Sequence, residues 1–89
     1  MTERVQVYTT LYCGYCVRAK ALLKRLHIGF EEIDVSGDPA KRDWLVRASG
    51  QRTVPQIFID GEPIGGFVEL AALERAGGLH ELTLSPASC

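Results

Sequence analysis

Two cysteines separated by two residues are the first candidates for chemistry in this sequence. Cys13 and Cys16 follow an apolar run at residues 5–9 and precede a helical pattern at residues 17–26. The first N–H groups of a helix have no partner within it, and the helix dipole adds partial positive charge there, so a thiolate at Cys13 is favoured. A three-residue offset on one turn lets the two sulfurs approach bonding distance. The pair therefore predicts a dithiol redox site.

A Cys-x-x-Cys pair is also half of a structural zinc site, which needs four ligands. The other candidate ligands are scattered without a second paired spacing: His27, His80 and Cys89. This favours the redox role over zinc binding. Cys89 is expected to be an exposed thiol in a loose C-terminal tail at residues 85–89.

The first half of the chain predicts a strand, a helix and a strand. Residues 5–9 carry β-branched and aromatic side chains, and because the cysteines follow them this strand should be central. The helix after it has one apolar side and is expected to end at Gly29. Residues 30–35 read as a second strand, and a strand-helix-strand unit of this length implies a parallel pair.

The second half predicts a helix, a hairpin and a last helix. Asp38 and Pro39 are typical of the N-cap and first position of a helix. We expect this helix to end at Gly50 and to bury three side chains: Trp44, Leu45 and Ala48. Residues 53–59 lead into a third strand. A turn at Asp60-Gly61 then joins it to an edge strand beginning at Pro63-Ile64, and the last helix spans residues 67–76.

These elements give the order βαβαββα, an α/β fold with a four-stranded mixed sheet flanked by three helices in one domain at residues 1–84. The 89 residues are 46% apolar and 24% charged, an ordinary balance for a soluble domain, and the net charge of −1 argues against nucleic-acid or anionic-membrane partners. The chain begins without an apolar leader-like segment, so we expect a cytoplasmic protein.

The pattern resembles the glutaredoxins, small oxidoreductases of thioredoxin-like fold, and in particular their short bacterial dithiol type. The resemblance runs from Val5 to about Leu82. It rests on three motifs in family order: Cys13-Gly14-Tyr15-Cys16, Thr53-Val54-Pro55 and Gly65-Gly66-Phe67-Val68-Glu69-Leu70.

The resemblance implies that glutathione is the co-substrate and that Cys13 is the nucleophile. A second glutathione would release glutathione from Cys13, whereas Cys16 would resolve a mixed disulfide formed with a protein. The implied partners are disulfide-containing or glutathionylated proteins, and the implied state is a monomer.

The resemblance also implies where glutathione binds. A cis bond before Pro55 would leave the Val54 backbone free to pair with the cysteine of glutathione. The N–H groups of Val68 and Glu69 would hold its γ-glutamyl carboxylate, and the Glu69 side chain its ammonium group. The remaining expected contacts are Tyr15, Arg42, Gln51, Thr53 and Gly66, with Arg42 and Gln51 toward the glycine carboxylate.

Two positions depart from the family pattern. Thr10 stands where a lysine is usual, which removes a positive charge near Cys13. Gly14 replaces a common proline, and relatives without that proline can hold a [2Fe-2S] cluster between two monomers, ligated by the nucleophilic cysteines and two glutathiones.

The sequence thus predicts a glutathione-dependent thiol-disulfide oxidoreductase. Two alternatives stay open: a glutathione-ligated [2Fe-2S] dimer with Cys13 as ligand, and an electron donor reduced by a flavoprotein reductase instead of glutathione.

Overall fold

A computed structural model describes residues 3–11 and 13–79. Its helices and strands, in chain order, are β1 (Val5–Thr9), α1 (Gly14–Arg25), β2 (Glu31–Asp34), α2 (Pro39–Ser49), β3 (Gln56–Ile59), β4 (Glu62–Gly65) and α3 (Phe67–Arg75). The predicted order βαβαββα is confirmed. The expected tail at residues 85–89, with Cys89, lies outside the described residues, as does His80.

The four strands form one mixed sheet in the order β2-β1-β3-β4. Strand β1 is parallel to β2 and antiparallel to β3, and β3 is antiparallel to β4. β1 is therefore central and β4 lies at an edge, as predicted. The turn between β3 and β4 uses Asp60 and Gly61, both with positive φ (53° and 84°), as tight hairpins require.

The predicted boundaries were correct for α2 and wrong for the end of α1. Asp38 caps α2 by accepting the N–H of Lys41 at 3.1 Å, and α2 ends at Gly50 as expected. The predicted end of α1 at Gly29 was wrong. His27 adopts the left-handed conformation with φ 59°, and the N–H of Ile28 donates to the carbonyl of Leu23 at 2.9 Å. These are the features of a Schellman cap, which here uses a histidine where glycine is usual.

Alternation along the strands divides the core between the two faces of the sheet. Val5 and Val7 of β1 and Ile57 of β3 pack with apolar side chains of α1 and α3. Phe58 of β3 packs on the opposite face with Leu45 of α2. Helices α1 and α3 therefore cover one face and α2 the other, which holds the start of α1 rigidly above the end of β1.

Trp44 was expected in the core, but 42% of it is exposed. Its ring stacks on Phe58 at 5.9 Å between centroids and lies 5.5 Å from Tyr8. It therefore covers the edge of the apolar core on the α2 face of the sheet. Of its two predicted companions, Leu45 is buried and Ala48 is half-buried. Within the described residues, no helix is long and apolar enough to cross a membrane.

Truncating the α1 side of the core should destabilise the protein. Leu23 is fully buried, so we expect Leu23→Ala to lower the free energy of unfolding by about 3 kcal/mol. Val17 lies on the same helix and is 61% exposed, so Val17→Ala should change it by less than about 0.5 kcal/mol. Urea unfolding of both variants checks this, and equal losses would contradict the packing described.

Candidate active site

Cys13 is the N-cap residue of α1, which begins at Gly14, three residues before the helical pattern in the sequence. Its backbone is extended, and its sulfur accepts the N–H of Cys16 at 3.1 Å. The Cys13 carbonyl accepts the N–H of Val17 at 3.2 Å, which starts the helical ladder. A sulfur in this position accepts a hydrogen bond and lies at the positive end of the helix dipole.

Cys16 lies in the first turn of α1 and is only 2% exposed. Burial, and then the hydrogen bond with Cys13, raise the pKa of Cys16 to about 12. Both cysteines are free thiols. The buried Cys16 therefore stays protonated at neutral pH.

The loop before β3 faces the Cys13 sulfur. The peptide bond between Val54 and Pro55 is cis, as the resemblance implied. The thiol of Cys13 donates to the Val54 carbonyl at 3.7 Å. The loop thus lies within contact distance of the half-buried Cys13.

A groove of about 450 Å³ opens beside this contact. It brings together eight of the nine residues predicted to bind glutathione and adds Phe67: the lining is Tyr15, Gln51, Thr53, Val54, Pro55, Gly66, Phe67, Val68 and Glu69.

Arg42 does not line this groove. Its side chain is half-buried, and its guanidinium lies 3.5 Å from the Arg52 carbonyl, at the loop that follows α2. Its predicted role stays a prediction.

The start of α3 forms one wall of the groove. The Glu69 carboxylate accepts the N–H of Gly66 at 2.8 Å, so this side chain caps its own helix. A Cβ on Gly65, whose φ is 115°, would lie 2.7 Å from Cγ of Glu69. A Cβ on Gly66 would lie 3.2 Å from the Pro55 carbonyl oxygen. Gly65 therefore leaves room for the capping side chain of Glu69, and Gly66 allows the start of α3 to approach the Val54-Pro55 loop.

Two residues of the site were missed by sequence reasoning. Phe67 pairs with Tyr15 at 6.2 Å between ring centroids, and its signal was an aromatic residue directly after two glycines. Gln56 is fully buried, and its amide donates to the Gln51 side chain and to the Thr53 carbonyl, both at 2.9 Å. Its signal was a polar residue in an apolar strand. Gln56 fixes the loop that forms the far end of the groove.

The described residues contain no group of three or more His, Cys, Asp or Glu side chains arranged to hold a metal ion. The zinc alternative thus gains no support from the part of the chain that the structure covers.

Comparison with known proteins agrees with this geometry. The sequence model of the family described as Glutaredoxin matches residues 5–64. Glutaredoxin 3 of Escherichia coli K12 is 49% identical over 78 residues, covering 88% of this chain and 94% of the relative. A glutaredoxin of Pseudomonas aeruginosa is 50% identical over 78 residues, covering 88% and 93%.

Solved structures give the same result. A buckwheat glutaredoxin-glutathione complex superposes with a TM-score of 0.85 at 32% identity, covering 93% of this chain and 78% of that one. The holo form of glutaredoxin C1 from Populus tremula x tremuloides superposes with a TM-score of 0.84 at 28% identity, covering 99% and 82%. With its paired thiols at the start of α1, its cis-proline loop and its thioredoxin-like sheet, the chain belongs to the glutaredoxin family, whose members are thiol oxidoreductases.

Proposed function

We propose that this protein is a glutathione-disulfide oxidoreductase, which reduces glutathione mixed disulfides and protein disulfides through Cys13 and Cys16. The observation that carries the proposal is the position of the Cys13 sulfur, which accepts the Cys16 N–H at 3.1 Å and contacts Val54, a residue that lines a groove of about 450 Å³.

The proposed reaction moves two electrons to the substrate. The Cys13 thiolate attacks the glutathione sulfur of a mixed disulfide, the substrate sulfur leaves, and water supplies its proton. A second glutathione thiolate then attacks the glutathione on Cys13. This regenerates the Cys13 thiolate and forms glutathione disulfide. The bond between the substrate sulfur and glutathione is replaced by the bond of glutathione disulfide, so the substrate leaves as a thiol and one free glutathione is consumed.

The groove supports a specific placement of glutathione. Its cysteine would pair with the Val54 backbone as an added strand, opposite the Cys13 sulfur. The N–H groups at the start of α3 suit the γ-glutamyl carboxylate, and the Glu69 carboxylate suits the adjacent ammonium. Gln51 lines the opposite end of the groove, with Arg42 behind it on α2. The structurally similar buckwheat protein is described as a complex with glutathione, which supports this placement.

Protein partners are supported by the apolar rim of the site. Four large apolar side chains near Cys13 are 56–66% exposed: Leu11, Tyr15, Val17 and Val68. Such a rim suits the surroundings of a disulfide or glutathionylated cysteine in another protein. We propose that the protein acts on such partners in the cytoplasm as a monomer.

Substitution of each cysteine should affect different substrates. Cys13→Ser removes the nucleophile, so turnover of a small glutathione mixed disulfide should fall to background. Cys16→Ser keeps the nucleophile Cys13, and a second glutathione can still release glutathione from it, so this turnover should persist. The reduction of protein disulfides by Cys16→Ser should fall. Coupled assays with glutathione reductase measure both. Retained activity in Cys13→Ser would contradict the assignment.

The charge of Glu69 can be tested without removing its cap. In Glu69→Gln the amide oxygen still accepts the Gly66 N–H, but the partner for the glutathione ammonium is lost. We expect KM for glutathione mixed disulfides to rise about tenfold, or about 1.4 kcal/mol, with little change in kcat. Glu74→Gln, on the same helix but outside the groove lining, is the matched control. Equal effects in the two variants would exclude this role.

The alternative [2Fe-2S] dimer is motivated by Gly14, because the resemblance links the absence of a proline at this position to cluster binding. Each copy would supply Cys13, and glutathione the remaining sulfurs. Anaerobic reconstitution with iron, sulfide and glutathione should then give a coloured dimer, detected by native mass spectrometry. Gly14→Pro should abolish it. A colourless monomer from the wild type would count against this alternative.

The flavoprotein-reductase alternative makes a different prediction. It requires protein disulfide reduction that is supported by a reductase and NADPH but not by glutathione.

A further inference from the structure

We propose that Lys20 is a positioning residue for Cys16, holding positive charge beside the buried sulfur while it becomes the thiolate that resolves a protein mixed disulfide. This inference rests on the proposed function, since it concerns the step that only the dithiol route needs.

The geometry is a second groove, which shares no lining residue with the one assigned to glutathione. It has a volume of about 410 Å³, and its lining includes both cysteines, Lys20 and Glu32. Cys16 and Lys20 lie four residues apart on α1, so their side chains are neighbours on one helix face. The groove gives the otherwise buried Cys16 a route to water.

Contacts with the sheet fix the Lys20 ammonium at this place. Its Nζ lies 2.9 Å from the Glu32 carboxylate, and the hydroxyl of Thr9 donates to the same carboxylate oxygen at 3.1 Å. Thr9 is 2% exposed, and the Lys20 side chain is 25% exposed. The ammonium thus contacts β2 directly, and Thr9 of β1 holds the carboxylate that it contacts, so the Lys20 side chain has little freedom left to lose when it faces a new anion.

The charged and polar groups around Cys16 come from three elements. Cys13 caps α1 and Lys20 lies on it, the Thr10 backbone follows β1, and Glu32 and Asp34 lie on β2 and line the same groove. Burial and Cys13 raise the pKa of Cys16, whereas the Thr10 backbone and Lys20 act to lower it.

The two carboxylates are not suited to take the proton. The hydrogen bond from Lys20 lowers the pKa of Glu32, and hydrogen bonds from Ser36 lower that of Asp34. Both stay ionised at neutral pH, so water in the groove takes the Cys16 proton.

When Cys13 forms a mixed disulfide with a partner, the thiolate form of Cys16 becomes more favourable than in the free dithiol. The Cys13 sulfur is then bonded to the partner and carries no negative charge, so Lys20 and the Thr10 backbone act against burial alone. The Cys16 thiolate attacks the Cys13 sulfur, the bond between Cys13 and the partner breaks, and the partner leaves as a thiolate that takes a proton from water. The two cysteines become a disulfide and the partner thiol is reduced.

The test measures this step alone. A fluorescent peptide is attached to Cys13 as a mixed disulfide, and its release by Cys16 is followed in a single turnover without glutathione, as a function of pH. We expect Lys20→Met to slow release about tenfold at pH 7 and to shift the pH profile upward by about one unit. Lys20→Gln should give the same slowing, and Lys20→Arg should restore most of the rate.

Lys24→Met is the matched control, because Lys24 is exposed on the same helix and lies outside the groove lining. Its release rate and pH profile should equal those of the wild type. An unchanged rate and profile in Lys20→Met, or equal slowing in Lys24→Met, would overturn the inference.

Turnover of a small glutathione mixed disulfide separates this inference from the proposed function. That reaction does not use Cys16, so it should be unchanged in Lys20→Met. If the wild type lacked it, the proposed function would fail, while peptide release would still decide the role of Lys20.

Discussion

The structure depends on one hydrogen bond, from the N–H of Cys16 to the sulfur of Cys13 at 3.1 Å. It makes Cys13 the N-cap of α1, so the same contact starts the helix and orients the nucleophile. Because it ties the first turn of α1 to Cys13, it also places Cys16 inside the core, where burial keeps it protonated. The Cys13 sulfur is therefore partly exposed at the start of the helix, whereas the Cys16 sulfur is buried. This asymmetry is what a reaction in two ordered steps requires.

The remainder of the domain holds a loop against that sulfur. Strand β1 delivers the cysteines from the centre of the sheet, and β3, paired with β1, carries the Val54-Pro55 loop to the same end. Gly66 lets the start of α3 approach this loop, and the buried Gln56 side chain holds the other side of the loop. The groove is thus formed where three separate segments of the chain meet. The two grooves near the cysteines differ in chemistry, since backbone groups and Glu69 line the first and the Lys20–Glu32 pair lines the second.

Much of this could be predicted from the sequence, because its strongest signals are local. The β-branched and aromatic residues of β1, the Asp38-Pro39 start of α2 and the Asp60-Gly61 turn each determine a few residues of backbone, and all three elements were predicted correctly. The end of α1 was not, because His27 adopts a conformation that the sequence pattern assigns to glycine. Trp44 was placed in the core because apolar periodicity does not show whether anything covers the outer side of a helix. Phe67, Gln56 and the Lys20–Glu32 contact were missed for a related reason: each joins residues from different elements. The resemblance to glutaredoxins, and not periodicity, suggested the residues lining the groove.

The central claim is that glutathione on Cys13 occupies the groove between the Val54-Pro55 loop and the start of α3. The most direct test is to form the glutathione mixed disulfide of the Cys16→Ser variant and to compare its backbone amide NMR spectrum with that of the reduced variant. The account predicts that the shifts concentrate on the amides of Val54, Val68 and Glu69 and spare the opposite face around Trp44. Shifts centred on the groove around Lys20 and Glu32, with the Val54 and Val68 amides unchanged, would contradict it.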